Sequence, residues 1–457
     1  MTQDEALCVL KTGANVFLTG EPGSGKTHTV NAYVRWLREH EIEPSITAST
    51  GIAATHIGGL TIHSWSGIGI KRSLSEYELD AIAQNKKVYG RMRDAKVLII
   101  DEVSMLAANT LDMVDAVCRE ARRDKRPFGG LQVVLVGDFF QLPPVNKSDE
   151  ENADEQALFA KPTQPAFAFR SNAWKSLNPL VCYLSEQHRQ EDAPFLDFLT
   201  ALRRAEINES HYELLRTRYK KSANAGATQL FSHNADVDRL NLEQLKKLDN
   251  DTHDFSMTSF GPAKLVENIK RGCLSPEVLS LKIGARVMFT KNDTITQRFA
   301  NGTLGIVSSF DKETGYPVIK TTSGRTVHIE PMEWTLVDGG KVLARVTQVP
   351  LRLAWAMTVH KSQGMSLDGA HMDLSGVFEY GQGYVALSRV RTLAGLSLAG
   401  LSKKALEVHP EILEEDQNFR TLSQTARDAF AALPSQELAI MRSNFIRACG
   451  GKEPSVV

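Results

Sequence analysis

The chain has 457 residues, 42% of them hydrophobic and 23% charged, with a formal net charge of −1. This is the composition of a globular protein of about three domains and excludes a disordered or fibrous chain. It also excludes a generally basic surface, so any contact with nucleic acid has to be made through a local groove.

The sequence contains no apolar run of about 18 residues, the length of a membrane span. Its first residues, Met-Thr-Gln-Asp-Glu-Ala, lack the basic start and apolar core of a signal peptide. Cys8, Cys118, Cys182, Cys273 and Cys449 are scattered, with neither a C-x-x-C pair nor histidines at zinc spacing. They are expected as reduced thiols in a cytoplasmic protein, nucleoid-associated if bacterial.

In chain order, the apolar run Val16–Thr19 leads into Gly20-Glu-Pro-Gly-Ser-Gly-Lys-Thr27 and then a helical pattern over Thr27–His40. This is the G-x-x-x-x-G-K-[ST] loop, in which glycines let successive backbone N–H groups turn toward phosphate oxygens. Lys26 places a point charge at the β- and γ-phosphates, and the Thr27 hydroxyl is a Mg²⁺ ligand. The helix adds the positive end of its dipole. ATP contacts are therefore expected from Gly20, Pro22, Gly23, Ser24, Gly25, Lys26, Thr27 and His28.

Two further apolar runs, Val97–Ile100 and Gln132–Val136, flank a helical pattern over Thr110–Arg123. Short continuous apolar runs alternating with helices fit strands of a parallel sheet buried on both faces. Ligands of such sheets sit beyond the carboxyl ends of the strands. There the sequence places Asp101-Glu102 after one run and Gln141 after the other. Asp101 is the expected Mg²⁺ partner, and Glu102 is placed to polarise the attacking water. Gln141 can donate and accept, and so bridge the γ-phosphate to another element.

Together these motifs resemble those of the superfamily-one DNA helicases, and most closely the Pif-type (petite-integration-frequency) branch with its RecD-like relatives. Gly20–Thr27 is similar to motif I, Thr47–Thr55 to Ia, Leu60–Trp65 to Ib, Asp101–Ser104 to II and Gly137–Val145 to III. Arg126-Pro-Phe-Gly-Gly-Leu-Gln132 resembles the signature segment of the branch. Leu184–Asp192 resembles motif IV, Thr358-Val-His-Lys-Ser-Gln-Gly364 motif V and Tyr384-Val-Ala-Leu-Ser-Arg-Val-Arg391 motif VI.

The resemblance implies an α/β fold of two RecA-like parallel-sheet P-loop motor domains. The first would comprise 1–66 and 95–180, the second 181–284 and 350–402. A wedge-like insertion is expected at 67–94, a small Src-homology-like β-barrel at 285–349 and a C-terminal helical extension at 403–457. Gln3 is the candidate reader of the adenine edge, through N6 and N7; the alternative is an ordinary surface glutamine. A permanently charged guanidinium forks onto phosphate oxygens, so Arg189 and Arg389 are the expected second-domain groups on the transferring phosphoryl. Arg391 and Arg352 lie nearby, but the Ala-Leu-Ser-Arg frame favours Arg389. Thr47, Ser49, Thr50, Thr55, His63, His360 and Lys361 are the candidate DNA-backbone contacts. Trp65 either stacks a base or, more often for a tryptophan, fills the core.

The basic pairs of the 67–94 segment fit either a strand-separation wedge or a solvated helix face. An acid-rich surface loop is expected over 147–164. Asn301-Gly302, between alternating apolar residues, signals a hairpin in the barrel. The implied activity is an ATP- and Mg²⁺-dependent DNA helicase. It would move along single-stranded DNA 5′→3′ and open junctions, forks or G-quadruplexes, as a monomer and without a membrane. Repair, recombination and telomere maintenance all reuse such a motor. A translocase that displaces proteins with little unwinding, or a nucleotide-gated DNA-binding module, are the rival readings.

Overall fold

The structure, a computed structural model, describes residues 1–56, 59–69, 71–144, 166–186, 192–219, 228–231, 235–291, 293, 298–299, 301–338, 341–359, 362 and 366–453. The chain divides into two compact units, Met1–Gln187 with Glu414–Val457, and His188–Leu413.

The first unit is built on a parallel sheet of β1 (Val16–Gly20), β2 (Ser45–Ala48), β3 (Leu60–Thr61), β4 (Val97–Asp101), β5 (Gln132–Val136) and β6 (Leu180–Leu184). Its order is β3-β2-β4-β5-β1-β6. The expected apolar runs are the central strands, and every residue of β1 and β5 is buried. Burial of each Val, Leu or Ile contributes roughly 1.5–3 kcal/mol, which is why β-branched runs with no polar alternation settle in the middle of the sheet. Helices Lys26–Glu39 and Ala108–Arg122 form at the expected places, within a residue or two of the expected ends.

The first unit continues past the limit expected at 180. β6 pairs in parallel with β1 from Val16↔Leu180 to Gly20↔Leu184, so the limit expected at 180 falls inside this strand. The sequence there is one more buried apolar run, and the open edge of β1 takes it up. The C-terminal helices Pro410–Ala431 and Ser435–Ala448 lie within the segment expected as a helical extension, and they pack into the first unit. Ala426 is buried in the same core cluster as Val9, Leu10, Leu18 and Tyr33, with Phe430 and Phe445 packed against it.

The segment 67–94 folds into helices Glu76–Ala83 and Lys86–Asp94, each started by a side-chain cap, Ser75 and Asn85. Val88 and Met92 are buried while Lys86 and Lys87 face solvent, so the basic residues lie on the outer face of the second helix. Lys71 pairs with Glu78 at 2.6 Å. The loop expected over 147–164 lies outside the described residues.

In the second unit, β7 (Thr228–Phe231), β18 (Ala356–Thr358), β19 (Ala370–Leu374) and β20 (Leu396–Leu401) form a parallel sheet in the order β18-β7-β19-β20. Between β7 and β18 in the chain lies an antiparallel insertion. It holds β8 (His253–Ser256), β9 (Thr258–Phe260), β10 (Val278–Leu281), β11 (Arg286–Phe289), β12 (Leu304–Phe310), β13 (Pro317–Thr321), β14 (Thr326–His328), β15 (Met332–Asp338), β16 (Lys341–Gln348) and β17 (Leu351–Leu353).

The described ladders make a five-stranded sheet (β14-β13-β12-β11-β17), a three-stranded sheet (β15-β16-β9) and the pair β10-β8. Antiparallel structure thus starts near His253, earlier than the expected 285, because Leu279 and Leu281 share the core of Val287 and Phe289. Asn301-Gly302 is not the tip of a two-residue hairpin. Met288 pairs with Leu304, and the Gly302 amide donates to the Phe289 carbonyl, so the dipeptide stands at the foot of a longer connection.

Candidate active site

In the sheet order, β4, β5 and β1 are neighbours and run parallel. Their carboxyl ends therefore lie side by side, and Asp101, the Gly137–Gln141 segment and the Gly20–Thr27 loop are gathered at one edge. The site is brought together by the β-strand order and not by sequence proximity.

Gly20, Gly23 and Gly25 all have positive φ, at 142°, 89° and 89°. At Gly20 a Cβ would come within 2.6 Å of the Leu184 carbonyl oxygen, so β6 passes too close for any side chain. Gly25 opens helix Lys26–Glu39 without a side-chain cap. Helix N-termini in this state present unpaired amides to an anion. Lys26 Nζ donates to the carbonyls of Gly20 at 2.7 Å and Glu21 at 3.1 Å, folding back across the loop. The Ser24 hydroxyl is buried within the loop with no hydrogen-bond partner, a polar atom suited to a phosphate oxygen. Pro22, Thr27 and His28 belong to the same loop and first helical turn.

Gln3 is the first residue of a helix, Gln3–Leu10, which Thr2 and Glu5 start with a reciprocal capping box. Its Nε2 donates to the Ser24 carbonyl at 3.3 Å, so the side chain lies against the phosphate loop and is not a bystander on the surface. The sequence signal was present but short: Thr-x-x-Glu directly before an apolar pattern.

Asp101 is the last residue of β4. Burial raises its carboxyl above the ordinary aspartate range, opposed by the Glu102 amide, which donates to Oδ1 at 2.8 Å, and by the charge of Lys26. Glu102 follows in the left-handed region (φ 52°, ψ 44°), where a non-glycine residue is strained. Gln141 is 7% exposed, and its Nε2 donates to Asp138 Oδ2 at 3.2 Å, while the Phe140 amide donates to Oδ1. Asp138, fully buried, thereby orients Gln141. Sequence reasoning missed it, although a buried aspartate in a Gly-Asp pair at a strand end was the available cue.

The candidate DNA contacts separate into two kinds. Thr47 is completely buried and donates to the Ile99 carbonyl at 2.8 Å, and Ser49 donates to the Glu102 carbonyl at 2.8 Å. Both hydroxyls tie β2 to the end of β4. Thr50 caps the helix Gly51–His56 by accepting the Ala53 amide, and His63, in helix Ile62–Ser66, is partly exposed. Trp65 is 3% exposed and is core. The side chain of Thr55, and His360, Lys361 and Arg189, lie outside the described residues.

Arg389 follows the helix Gln382–Leu387 in the second unit. It is 1% exposed, with Nε donating to the Val385 carbonyl at 2.7 Å and Nη2 to Ser388 Oγ at 2.8 Å. Arg203 is also buried there and donates to the Tyr384 hydroxyl at 3.3 Å. Arg352 is buried, and burial lowers its pKa.

A helicase family description, PIF1-like helicase, matches residues 5–212. The ATP-dependent DNA helicase Pif1 of Psychrobacter sp. (strain PRwf-1) is 40% identical over 99% of this chain and 75% of that protein. Among solved structures, Pif1 helicase from Candida albicans is 34% identical, with a TM-score of 0.70 over 91% of this chain and 98% of that one. Bacteroides sp Pif1 in complex with ADP-AlF4 is 28% identical, with a TM-score of 0.75 over 92% and 96%. Bacteroides Pif1 bound to ssDNA is 29% identical, with a TM-score of 0.58 over 91% and 96%. With 40% identity over nearly its whole length, this chain belongs to the PIF1-like helicase family.

Proposed function

We propose that this chain is an ATP-dependent DNA helicase that moves along single-stranded DNA in the 5′→3′ direction and separates duplex ahead of it. The observation that supports it most is the convergence of Lys26, Asp101 and the Gly137–Gln141 segment on neighbouring strand ends, around three left-handed glycines. The relatives named ATP-dependent DNA helicases, and the one bound to ssDNA, supply the substrate class.

ATP binds with its phosphates in the Gly20–Thr27 loop, with Ser24 Oγ and Lys26 Nζ as donors. To reach the phosphates, Lys26 gives up the two loop carbonyls that it now holds. Glu102 accepts the proton of a water that attacks the γ-phosphorus, and the bond to the β,γ-bridging oxygen breaks. Gln141, held by Asp138, orients that water. The Thr27 hydroxyl and the Asp101 carboxylate are hard oxygen donors of the kind that fit Mg²⁺. When bound, the ion neutralises charge on the β- and γ-oxygens.

Arg389, and Arg189 with it, supplies positive charge to the transferring phosphoryl group from the second motor domain, so that hydrolysis is coupled to opening and closing of the pair. The helices of 67–94 act as the wedge at the junction, with Lys86 and Lys87 toward the strands. The paired presence of Glu102 and Gln141 beside the phosphate loop weighs against a merely structural nucleotide site.

The deciding measurement is ATP hydrolysis with and without single-stranded DNA, for wild type and Glu102→Gln. DNA-stimulated turnover that is lost in the variant is expected; a wild type indifferent to DNA sinks the motor reading. Unwinding of duplexes with 5′ or 3′ tails fixes direction. Arg389→Ala is expected to hold ATP affinity within about threefold and to lower turnover by at least about a hundredfold.

A further inference from the structure

The helix Pro410–Ala431 comes from the far end of the chain, yet it touches three parts of the nucleotide site in the first unit. Near its middle, Phe419 stacks on Phe139, two residues before Gln141, with ring centroids 6.0 Å apart. One residue later, Arg420 donates to the Tyr183 hydroxyl at 2.6 Å and lies 3.9 Å from the carboxylate of Glu21 in the phosphate loop. Further along, Arg427 Nε donates to Glu5 Oε1 at 3.0 Å.

Glu5 has two oxygens and two duties. Oε2 accepts the Thr2 amide at 2.7 Å, closing the capping box, while Oε1 holds Arg427. The amide, first, and then the guanidinium hold its carboxyl below the ordinary glutamate range. The helix thus fixed begins at Gln3, whose amide reaches the Ser24 carbonyl. A one-turn displacement of this helix would move Gln3 by several ångströms, roughly 5.4 Å for a full turn. Ala6, Val9 and Leu10 seat the inner face of the helix in the core, and the Glu5–Arg427 pair holds its first turn from the outside.

We infer that helix Pro410–Ala431 braces the nucleotide site, and that Arg427, through Glu5, is a positioning residue that sets where Gln3 meets the base. The inference rests on the reading of Gln3 as the adenine-facing residue. Arg427 touches no nucleotide itself. Its effect is on discrimination between bases and not on the phosphates, which Lys26 and the loop amides hold independently.

The test is equilibrium binding of mant-ATP and mant-GTP to the full chain without DNA, so that it needs no turnover and stands apart from the motor reading. Arg427→Ala is expected to weaken ATP about three- to tenfold while GTP stays within about twofold; the pair is half-exposed, which keeps the effect modest. Glu5→Gln keeps a capping-box acceptor and loses the ion pair, so it should behave the same way. Arg427→Lys should recover most of the preference. In a Gln3→Ala background, Arg427→Ala should add nothing. Equal losses for ATP and GTP, no change in either, or additive effects of Gln3→Ala and Arg427→Ala overturn the inference. If Arg427→Ala fails to fold, Glu5→Gln alone decides it by the same ratio.

Discussion

The Ser49 hydroxyl donates to the backbone carbonyl of Glu102 at 2.8 Å, and the Ser49 amide donates to the carbonyl of Asp101 at 3.1 Å. One residue at the end of β2 thus clamps both members of the acidic pair by their backbones, at the point where Glu102 adopts its left-handed conformation. Such a conformation costs a non-glycine residue about 1–2 kcal/mol, and the clamp offsets part of it. Ser49→Ala removes a hydrogen bond of about 1 kcal/mol and lets the peptide relax. The expected result is a three- to tenfold fall in ATP turnover at unchanged ATP affinity, about what a loss of that size gives. Single-turnover hydrolysis beside equilibrium nucleotide binding checks it; a loss of affinity with intact turnover would refute it.

Asp101 carries a cost that the ligand-free protein bears. Its folded pKa lies above the unfolded one because burial disfavours the charged form. As pH rises from the ordinary aspartate range, about 4, the unfolded chain gives up this proton first, so stability falls across that window and stays lowered above it. Asp101→Asn removes the charge and is expected to raise the melting temperature of the nucleotide-free protein by a few degrees at pH 7, converging on wild type as pH falls toward that range. The same variant should have no ATPase activity. Thermal melts across pH, paired with turnover assays, test both halves.

What the sequence revealed and what it hid follow from the range of the interactions. The phosphate loop, Asp101, Glu102 and the strands that carry them were legible because each is a local pattern: glycines at fixed offsets, or an apolar run ending in acids. The strand-tying bonds of Thr47 and Ser49 were hidden because a hydroxyl near a strand end looks the same whether it faces a phosphate or the next strand's carbonyl. Only the β2–β4 pairing decides between them. The packing of β6 and of the C-terminal helices was hidden for a related reason. Their partners, Gly20 and Glu5, are more than a hundred residues away, and no periodicity encodes that separation. Asp138 was overlooked because its task, orienting Gln141, appears only once both side chains are buried together.

The buried hydrogen bond of Thr47 to the Ile99 carbonyl bears on DNA affinity. A residue that neutralises or bonds a backbone phosphate changes affinity in a salt-dependent way. Thr47 is buried on β2, where its hydroxyl is donated to the Ile99 carbonyl of β4 and holds the two strands together. Thr47→Val is expected to cost about 1 kcal/mol of stability through the lost hydrogen bond to the Ile99 carbonyl, with unchanged single-stranded DNA affinity and an unchanged salt slope. Fluorescence anisotropy over a salt series is the check. A weakened, salt-shifted affinity in a normally folded variant would restore Thr47 to the DNA path.

Gly25 and Gly69 form a matched pair for testing the loop itself. Both have positive φ, 89° and 60°, so an alanine at either pays about 1 kcal/mol in backbone strain. A Cβ at Gly69 meets no atom within 4 Å, whereas one at Gly25 would lie 2.1 Å from Gln3 Nε2. Gln3 is a flexible side chain and can move, but moving ends its bond to the Ser24 carbonyl and takes it off the loop. Gly25→Ala is therefore expected to weaken ATP by more than about tenfold, and to lose preference for ATP over GTP as well. Gly69→Ala should lower stability alone and leave both nucleotides bound as in wild type. Competition binding with the two nucleotides separates the outcomes: if Gly25→Ala loses only overall affinity and keeps its base preference, Gln3 is not the group that the loop holds against the base.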